Sequence, residues 1–349
     1  MKKTVFLTII VLVFSVPCYV PSEAKEKPKV TIKIATIAPK GSFIMNIMDD
    51  LRDKVREETK DEVDFKIYAG GVQGDESDVL RKIRMKQLHG GIFVGFALGR
   101  IAPEVRVTEI MFAFRNHEEV EYVRGKLEAT MTKYFGDRGY VVLGWTDAGF
   151  VYMFSKEPLT SIEVLKRQKC WVWGDDPVMM SFYKAVGVQP IPLSITDVMT
   201  SLSAGLIDNV FNTPFGIIAL RWHTKFRYMT DIPVGNGVGA LVVRKEIWNK
   251  VSPGSQKKIK EIAKIQFKRL TRDIIEADKK SLGILKKAGI KIAPFLNSAT
   301  DSGSLLEIGK KARESLIGKL YSKELLERTL ALLQEYRQNN PNSSFIRIR

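Results

Sequence analysis

The residues of this chain that could do chemistry are mainly aromatic rings and amides near the ends of predicted strands. Trp171 and Trp173 end one strand, Phe211 and Asn212 end another, and Phe215 follows shortly after. In parallel α/β sheets, ligands bind at the carboxyl ends of the strands. Rings offer apolar area and stacking, and indole and amide N–H groups offer hydrogen bonds. We therefore expect a binding site for a small molecule here.

Groups suited to catalysis are scattered. The histidines are His89, His117 and His223, and none is close in sequence to Cys170. No His, Cys and Asp cluster has the spacing of a metal site, and no nucleophile has a base beside it. The sequence thus predicts neither an enzyme nor a metal or other cofactor, and Cys170 is interpreted as a buried structural thiol on a strand.

An acidic pair precedes a predicted helix. Asp175 and Asp176 stand directly before Pro177. An acidic residue before a proline is typical of a helix start, where the side chain caps free N–H groups and proline occupies the first turn. Capping is the expected role, and the alternative is that one of these carboxylates adds negative charge for a cationic ligand.

The segment 165–214 must position these residues. It contains an apolar run at 169–173, a helical pattern, a short strand after Pro190, a second helical pattern and a strand at 208–211. Ser194 and Asp197 have the spacing of a capping box before the second helix. This alternation of strands and helices predicts a parallel α/β layer.

The preceding and following segments extend the same pattern. A glycine-rich loop at 69–74 lacks the Gly-Lys-Ser/Thr of a phosphate-binding loop and is interpreted as a turn. Residues 104–111 give no clear prediction of secondary structure.

Ser252 and Pro253 begin a predicted helix of roughly 30 residues, or ~45 Å, which is long enough to cross two domains. The predicted strands are 30–38, 63–68, 92–96, 140–145, 151–155, 234–243 and 290–295, and the predicted helices include 43–59, 76–86, 118–135, 305–320 and 323–336.

The amino terminus predicts export to the periplasm. Lys2 and Lys3 precede an apolar run at 5–16, and a small-x-small site ends at Ala24. This pattern predicts a signal peptide over 1–24 that is cleaved after Ala24. A lipoprotein acylated at Cys18 is the less favoured alternative, because Pro17 replaces the expected small residue. The net charge of +16 is spread among interleaved acids, and no nucleic-acid motif is present, so no nucleic-acid partner is predicted.

The chain resembles the DctP family, the solute receptors of tripartite ATP-independent periplasmic (TRAP) transporters, from Ile32 to about Tyr336. The order and spacing of several short pieces carry the resemblance. They are Ile34-Ala35-Thr36 with Pro39, Gly71-Val72-Gln73-Gly74-Asp75, Leu165-Lys166-Arg167-Gln168-Lys169, Ala185-Val186-Gly187, Pro190-Ile191-Pro192, and Val198 to Asp208 followed by Asn212 and Pro214.

The resemblance implies a two-domain periplasmic binding protein fold, with mixed sheets, helices on both faces and a long helix crossing both domains. Domain I would comprise 30–148 and 236–270, and domain II 149–235 and 271–300. The C-terminal helices at 301–337 would pack across the domains, and 338–349 would be a flexible tail. The implied partners are a small-molecule ligand, on which the two domains close, and the integral-membrane subunits of a TRAP permease.

The sequence departs from the family where a ligand carboxylate is usually bound. The resemblance places Trp171 at the position of the family's carboxylate-binding arginine, Val151 at a second frequent arginine, and Phe211 at an acidic or polar position. A carboxylate buried without a partner costs several kcal/mol. We therefore expect an apolar, aromatic or cationic ligand, oriented by Asn212 and the indole N–H groups.

The remaining predicted site residues lie in domain I: they are Phe43, Gln73, Gly95 and Phe96. An apolar ligand also suggests an accessory periplasmic protein that shields it. The alternative function is a receptor fold that signals to a partner protein instead of serving a permease.

Overall fold

A computed structural model of the protein describes residues 28–295, 301–344, 346 and 348. It has the predicted α/β architecture of two domains, with helices packed around a mixed sheet. The strands are β1 (Val30–Ala35), β2 (Val63–Tyr68), β3 (Gly90–Val94), β4 (Tyr140–Ser155), β5 (Trp171–Trp173), β6 (Ile191–Leu193), β7 (Asn209–Asn212), β8 (Tyr228–Thr230), β9 (Gly235–Arg244) and β10 (Lys291–Ala293).

The helices alternate with these strands. They are α1 (Phe43–Glu58), α2 (Glu76–Arg84), α3 (Gly95–Ile101), α4 (His117–Asp137), α5 (Ile162–Arg167), α6 (Pro177–Val186), α7 (Val198–Ser203), α8 (Pro214–Ala219), α9 (Lys245–Trp248), α10 (Pro253–Lys287), α11 (Asp301–Glu314) and α12 (Lys323–Asn339). Three short 3-10 segments, Pro103–Glu109, Ile195–Asp197 and Trp222–Lys225, complete the described elements.

Strand β4 joins the two domains. The main sheet has the order β10-β8-β4-β9-β3-β1-β2, and β7 also pairs with β4. The sequence predicted separate strands at 140–145 and 151–155, but β4 is continuous over 16 residues. Its register with β9 shifts between Asp147 and Gly149, and such an irregularity bends a strand without ending it. The break predicted near Gly149 is therefore a bend within one strand.

The long helix predicted after Ser252 is confirmed. Helix α10 has 35 residues, which corresponds to about 50 Å. The Ser252 side chain accepts a hydrogen bond from the Ser255 N–H, and Pro253 occupies the first turn. Helix α10 packs on α1 and β4 and also on α8, so it contacts both domains.

The segment predicted to be a flexible tail makes backbone hydrogen bonds. Helix α12 continues to Asn339. Beyond it, the Ile346 N–H donates to the Arg115 carbonyl at 2.8 Å and the Ile348 N–H donates to the Asp231 carbonyl at 2.9 Å. Ile348 is buried. The polar composition of 338–349 predicted a flexible tail, but Ile346 and Ile348 are hydrogen-bonded to the rest of the protein.

Other predictions about the ends of the chain are not reached by the structure. The predicted signal peptide at 1–24, including Cys18, lies outside the described residues. None of the helices in the described part of the chain has the length and hydropathy needed to span a bilayer.

Substituting Gly149 should destabilise the bend in β4. Gly149 has φ +96°, and a Cβ there would overlap the buried carboxylate of Asp278. We expect Gly149→Ala to lower the free energy of unfolding by about 2 kcal/mol, because of both the strained backbone and the overlap. Thermal and urea unfolding would measure the change.

Gly125→Ala is the matched control. Gly125 is exposed within α4 and has no heavy atom near the position of a new Cβ. Alanine should stabilise that helix by up to about 1 kcal/mol. Equal unfolding energies for the two variants would contradict the proposed constraint at Gly149.

Candidate functional site

A largely apolar cavity of about 270 Å³ lies between the two domains. The carboxyl ends of β3, β5 and β7 open onto it, as the strand order predicts. Most of the residues predicted for the site line this cavity. They are Gly95, Phe96, Val151, Trp171, Trp173, Phe211, Asn212 and Phe215.

Two predicted residues do not line the cavity. Phe43 packs against Phe215, a lining residue, with ring centroids 4.9 Å apart, so it lies directly behind the cavity wall. Gln73 is directed elsewhere, because its side-chain oxygen and its carbonyl both accept hydrogen bonds from Lys82 Nζ, at 2.9 and 3.0 Å. In this structure the Gln73 side chain is bound by Lys82 of α2, nine residues further along the chain, and Gln73 does not line the cavity.

An aromatic row of Phe96, Trp173, Trp171 and Phe211 forms one side of the cavity. The Phe96 and Trp173 rings stack at 4.9 Å, and the Trp171 and Phe211 rings stack at 4.8 Å. The two indoles are 6.4 Å apart, because alternate residues of β5 project to the same face. Each ring thus stacks on a neighbour, and the row is a preformed apolar surface rather than a set of separate rings.

The two indole N–H groups have different environments. Trp171 Nε1 donates to the Leu193 carbonyl at 3.1 Å, so it is already used within the protein. Trp173 Nε1 is buried and has no hydrogen-bond partner among the described residues. The Asn212 side-chain oxygen accepts the Thr213 N–H at 2.8 Å, at the start of α8. Trp173 is therefore the better candidate of the two indoles to orient a ligand.

A buried guanidinium that the sequence analysis missed also lines the cavity. Arg106 is 5% exposed and lies in the 3-10 segment Pro103–Glu109. Its Nη2 lies 3.0 and 2.9 Å from the two oxygens of Asp176, and its Nε lies 2.7 Å from Glu109 Oε2. Burial opposes the charge on Arg106, but the two carboxylates outweigh it and raise its pKa. Arg106 is therefore charged and paired with acids of the protein itself.

The signal for this group was weak in the sequence. Residues 104–111 have neither helical nor strand periodicity, because they form a 3-10 segment. The spacing of Arg106 and Glu109, three residues apart, was the only local indication of an ion pair. The partner Asp176 is 70 positions away, which no local pattern can reveal.

Two glutamates and Gly95 pack closely at the start of α3. The oxygens of Glu76 accept the Val94 N–H at 2.8 Å and the Ala97 N–H at 3.1 Å. The Glu109 carboxylate lies against Gly95, where any Cβ would overlap it. Burial raises the pKa of Glu76 to about 8 and that of Glu109 to about 7, although hydrogen bonds partly oppose the shift.

The acidic pair before α6 has two separate roles. Asp176 is buried and caps α6 by accepting the Val178 and Met179 N–H groups, as expected, in addition to binding Arg106. The Asp175 side chain is 81% exposed and pairs with Arg100. The alternative, that either carboxylate is available to a ligand, is not supported, because each is engaged by an arginine.

Direct contacts between the segments 30–148 and 149–235 close the cleft. Besides the Arg106–Asp176 pair, the Ser194 hydroxyl donates to the Asp75 carboxylate at 2.9 Å. The same hydroxyl accepts the Thr196 N–H at 3.4 Å, so Ser194 caps the 3-10 segment Ile195–Asp197. The predicted reciprocal box with Asp197 is not formed, because Ser194 accepts from Thr196 and the Asp197 side chain makes no cap hydrogen bond to α7. The Phe43–Phe215 and Phe96–Trp173 contacts also cross the cleft, so the cavity is enclosed by both segments.

The described residues contain no group of His, Cys, Asp and Glu side chains that could hold a metal ion. Cys170 is fully buried, and burial raises the pKa of its thiol to about 12, so it is not an activated nucleophile. The interpretation of Cys170 as a structural residue agrees with this environment.

The chain matches a known protein family and several of its members. The model of the DctP family, described as bacterial extracellular solute-binding protein family 7, matches residues 34–302. The protein YiiZ of Salmonella typhimurium, which is uncharacterised, is 23% identical over 75% of this chain and 81% of its own length. The ectoine/5-hydroxyectoine-binding periplasmic protein UehA of Ruegeria pomeroyi is 24% identical over 62% of this chain and 66% of its own.

A solved structure shows the same fold. The TRAP periplasmic solute-binding protein of Desulfovibrio salexigens, with bound orotic acid, superposes with a TM-score of 0.79 at 19% identity. The superposition covers 89% of this chain and 99% of that protein.

Removing the charge of Asp176 should destabilise the closed cleft. Asp176→Asn keeps a residue that caps helices well but removes one of the two carboxylates paired with Arg106, leaving only Glu109. Loss of one member of a buried ion pair costs about 3 kcal/mol. Calorimetric unfolding of the ligand-free protein would measure this loss.

Asp175→Asn provides the matched control at the adjacent position. Because its carboxylate is exposed, the same substitution should change the free energy of unfolding by less than about 1 kcal/mol. A similar loss in both variants would show that the Arg106–Asp176 pair has no special role in stability.

Proposed function

The chain belongs to the DctP family of extracellular solute-binding proteins, and on that basis we propose that it is the receptor of a TRAP transporter for a ligand other than a simple carboxylate. TRAP solute-binding proteins bind small molecules in the periplasm and work with membrane permease components. The protein is accordingly a receptor and not an enzyme. The proposal concerns the chemical class of its ligand.

The observation that carries the proposal is the combination of an aromatic row and an engaged arginine. The row offers apolar area. Arg106 is the guanidinium among the described residues that line the cavity, and Asp176 and Glu109 already bind it. A ligand carboxylate would have to displace a buried acid from Arg106 or stay unpaired, and either change costs several kcal/mol.

The departures from the family support the same conclusion. Trp171, Val151 and Phe211 stand where the resemblance places two arginines and a polar residue, and all three line the cavity. The relative from Desulfovibrio salexigens holds orotic acid, and UehA is named for ectoine. The two proteins are 19% and 24% identical to this chain, so their ligands serve only for comparison. The side chains that line this cavity favour a different class of ligand.

The ligand should therefore be apolar or aromatic, or carry a positive charge. Its body would lie against the aromatic row, and the unpaired Trp173 N–H would donate to an oxygen or another acceptor of the ligand. A cation would also meet the acidic side chains around Arg106. The permease of a TRAP transporter would then receive this compound.

Extraction of the purified protein tests the ligand class. Protein purified under native conditions and precipitated in organic solvent should release a compound with an apolar or aromatic body, identified by mass spectrometry. Recovery of a small dicarboxylate or a sugar acid at full occupancy would overturn the proposed class.

Two variants show whether the compound comes from the cavity. Val151→Phe adds volume inside the cavity and should reduce the recovered compound by about tenfold, because overpacking there displaces it. Leu206→Phe makes a similar apolar change at an exposed position and should leave recovery unchanged. Equal recovery from both variants would mean that the compound binds elsewhere.

A further inference from the structure

The charged residues that line the cavity are predominantly acidic. They are Glu76, Arg106, Glu109 and Asp176, and each is at least 94% buried. Asp75 is also buried, and its charge acts on Glu76. Three buried carboxylates on the cavity wall thus face one guanidinium.

Arg106 can neutralise only part of this cluster. Its Nη2 binds both oxygens of Asp176. Its Nε is 2.7 Å from Glu109 Oε2, but neither atom forms an aligned hydrogen bond with any part of the chain that the structure describes. Glu76 accepts two backbone N–H groups and forms no ion pair among the described residues, and it interacts with the Arg106 charge only at longer range. Up to two negative charges therefore lack a counter-charge within the cavity.

The elevated pKa values of Glu76 and Glu109 have this physical origin. Buried carboxylates without a counter-charge retain protons, whereas a nearby cation favours ionisation. Glu76 is raised to about 8 by burial, with Asp75 and Glu109 adding repulsion, and Glu109 is raised to about 7 by burial, with Asp176 adding repulsion and Arg106 opposing it. A bound cation would relieve both effects.

Asn236 provides an independent indication of a ligand with N–H groups. Its Nδ2 donates to the Thr108 carbonyl at 2.9 Å, and because a carbonyl only accepts, this contact fixes the orientation of the amide. The Asn236 Oδ1 atom has no partner among the described residues, although Asn236 is 4% exposed and lines the cavity. An unpaired buried acceptor is costly unless a donor reaches it.

We propose that the acidic part of the cavity, formed by Glu76, Glu109 and Asn236 Oδ1, is a subsite for a positively charged nitrogen of the ligand. The ligand is then an organic cation, such as a primary amine, on an apolar or aromatic body. This inference rests on the proposed receptor function. It adds that the sign of the ligand's charge is set by the excess of carboxylates over Arg106.

Three probes of similar shape and different charge test the subsite. They are phenethylamine, 2-phenylethanol and 3-phenylpropionate, each titrated calorimetrically into protein freed of bound compounds by unfolding and refolding. The amine should bind at least about tenfold more tightly than the alcohol, because only the amine pairs with a buried carboxylate. The acid should bind most weakly.

The pH dependence has a defined sign. Below about pH 6 both glutamates carry protons, and at about pH 9 both are largely ionised. An alkyl amine of this kind stays protonated throughout, since its pKa is near that of lysine, about 10. Affinity for the amine should therefore rise about tenfold between these limits in the wild-type protein, whereas affinity for the alcohol should not.

Glu109→Gln should reduce the affinity for the amine about tenfold and weaken its pH dependence, whereas Glu118→Gln, at an exposed position of α4, should do neither. If Glu109→Gln folds poorly, the pH dependence of amine binding to the wild-type protein still tests the subsite.

The inference is overturned if the amine does not bind, if the alcohol or the acid binds as tightly, or if affinity for the amine is independent of pH. A failure of the receptor function itself would be seen separately, as the absence of any compound in the extraction experiment.

Discussion

The buried guanidinium of Arg106, paired with Asp176 and Glu109, is the interaction on which the cleft depends. Arg106 and Asp176 are distant in sequence and come from segments on opposite sides of the cavity. A charge buried without an oppositely charged partner destabilises a protein. Arg106 and Asp176 therefore stabilise each other when the cleft is closed. Asp176 therefore occupies the position on the Arg106 guanidinium that a ligand carboxylate would otherwise take.

The aromatic row completes this arrangement and, like the ion pair, contains residues from both sides of the cleft. Trp171 and Trp173 stack with Phe211 and Phe96, so the cavity has a rigid apolar side and a separate cluster of buried carboxylates. Gly95 allows the two parts to approach, because any side chain there would overlap Glu109. Shape and charge therefore act together: the rings accommodate a hydrophobic body, and the carboxylates discriminate against an anion.

Much of the fold and part of the site could be predicted from the sequence, because local patterns determine them. The α/β alternation, the start of α10 at Ser252 and the aromatic strand ends all depend on neighbouring residues. Long-range contacts decided the rest. Lys82 binds the Gln73 side chain, Ser194 donates a hydrogen bond to Asp75 across the cleft, and Arg106 lies in a 3-10 segment without a clear periodicity. Charge pairing across a cleft depends on the three-dimensional structure and leaves no trace in local spacing.

A crystal structure of the protein with the compound that co-purifies with it would test the central claim most directly. We expect an apolar or aromatic body beside Trp173, a ligand nitrogen within about 3.2 Å of a Glu109 oxygen or of Asn236 Oδ1, and an intact Arg106–Asp176 pair. A ligand carboxylate bound to Arg106, with Asp176 displaced from it, would show that the cavity selects an anion instead.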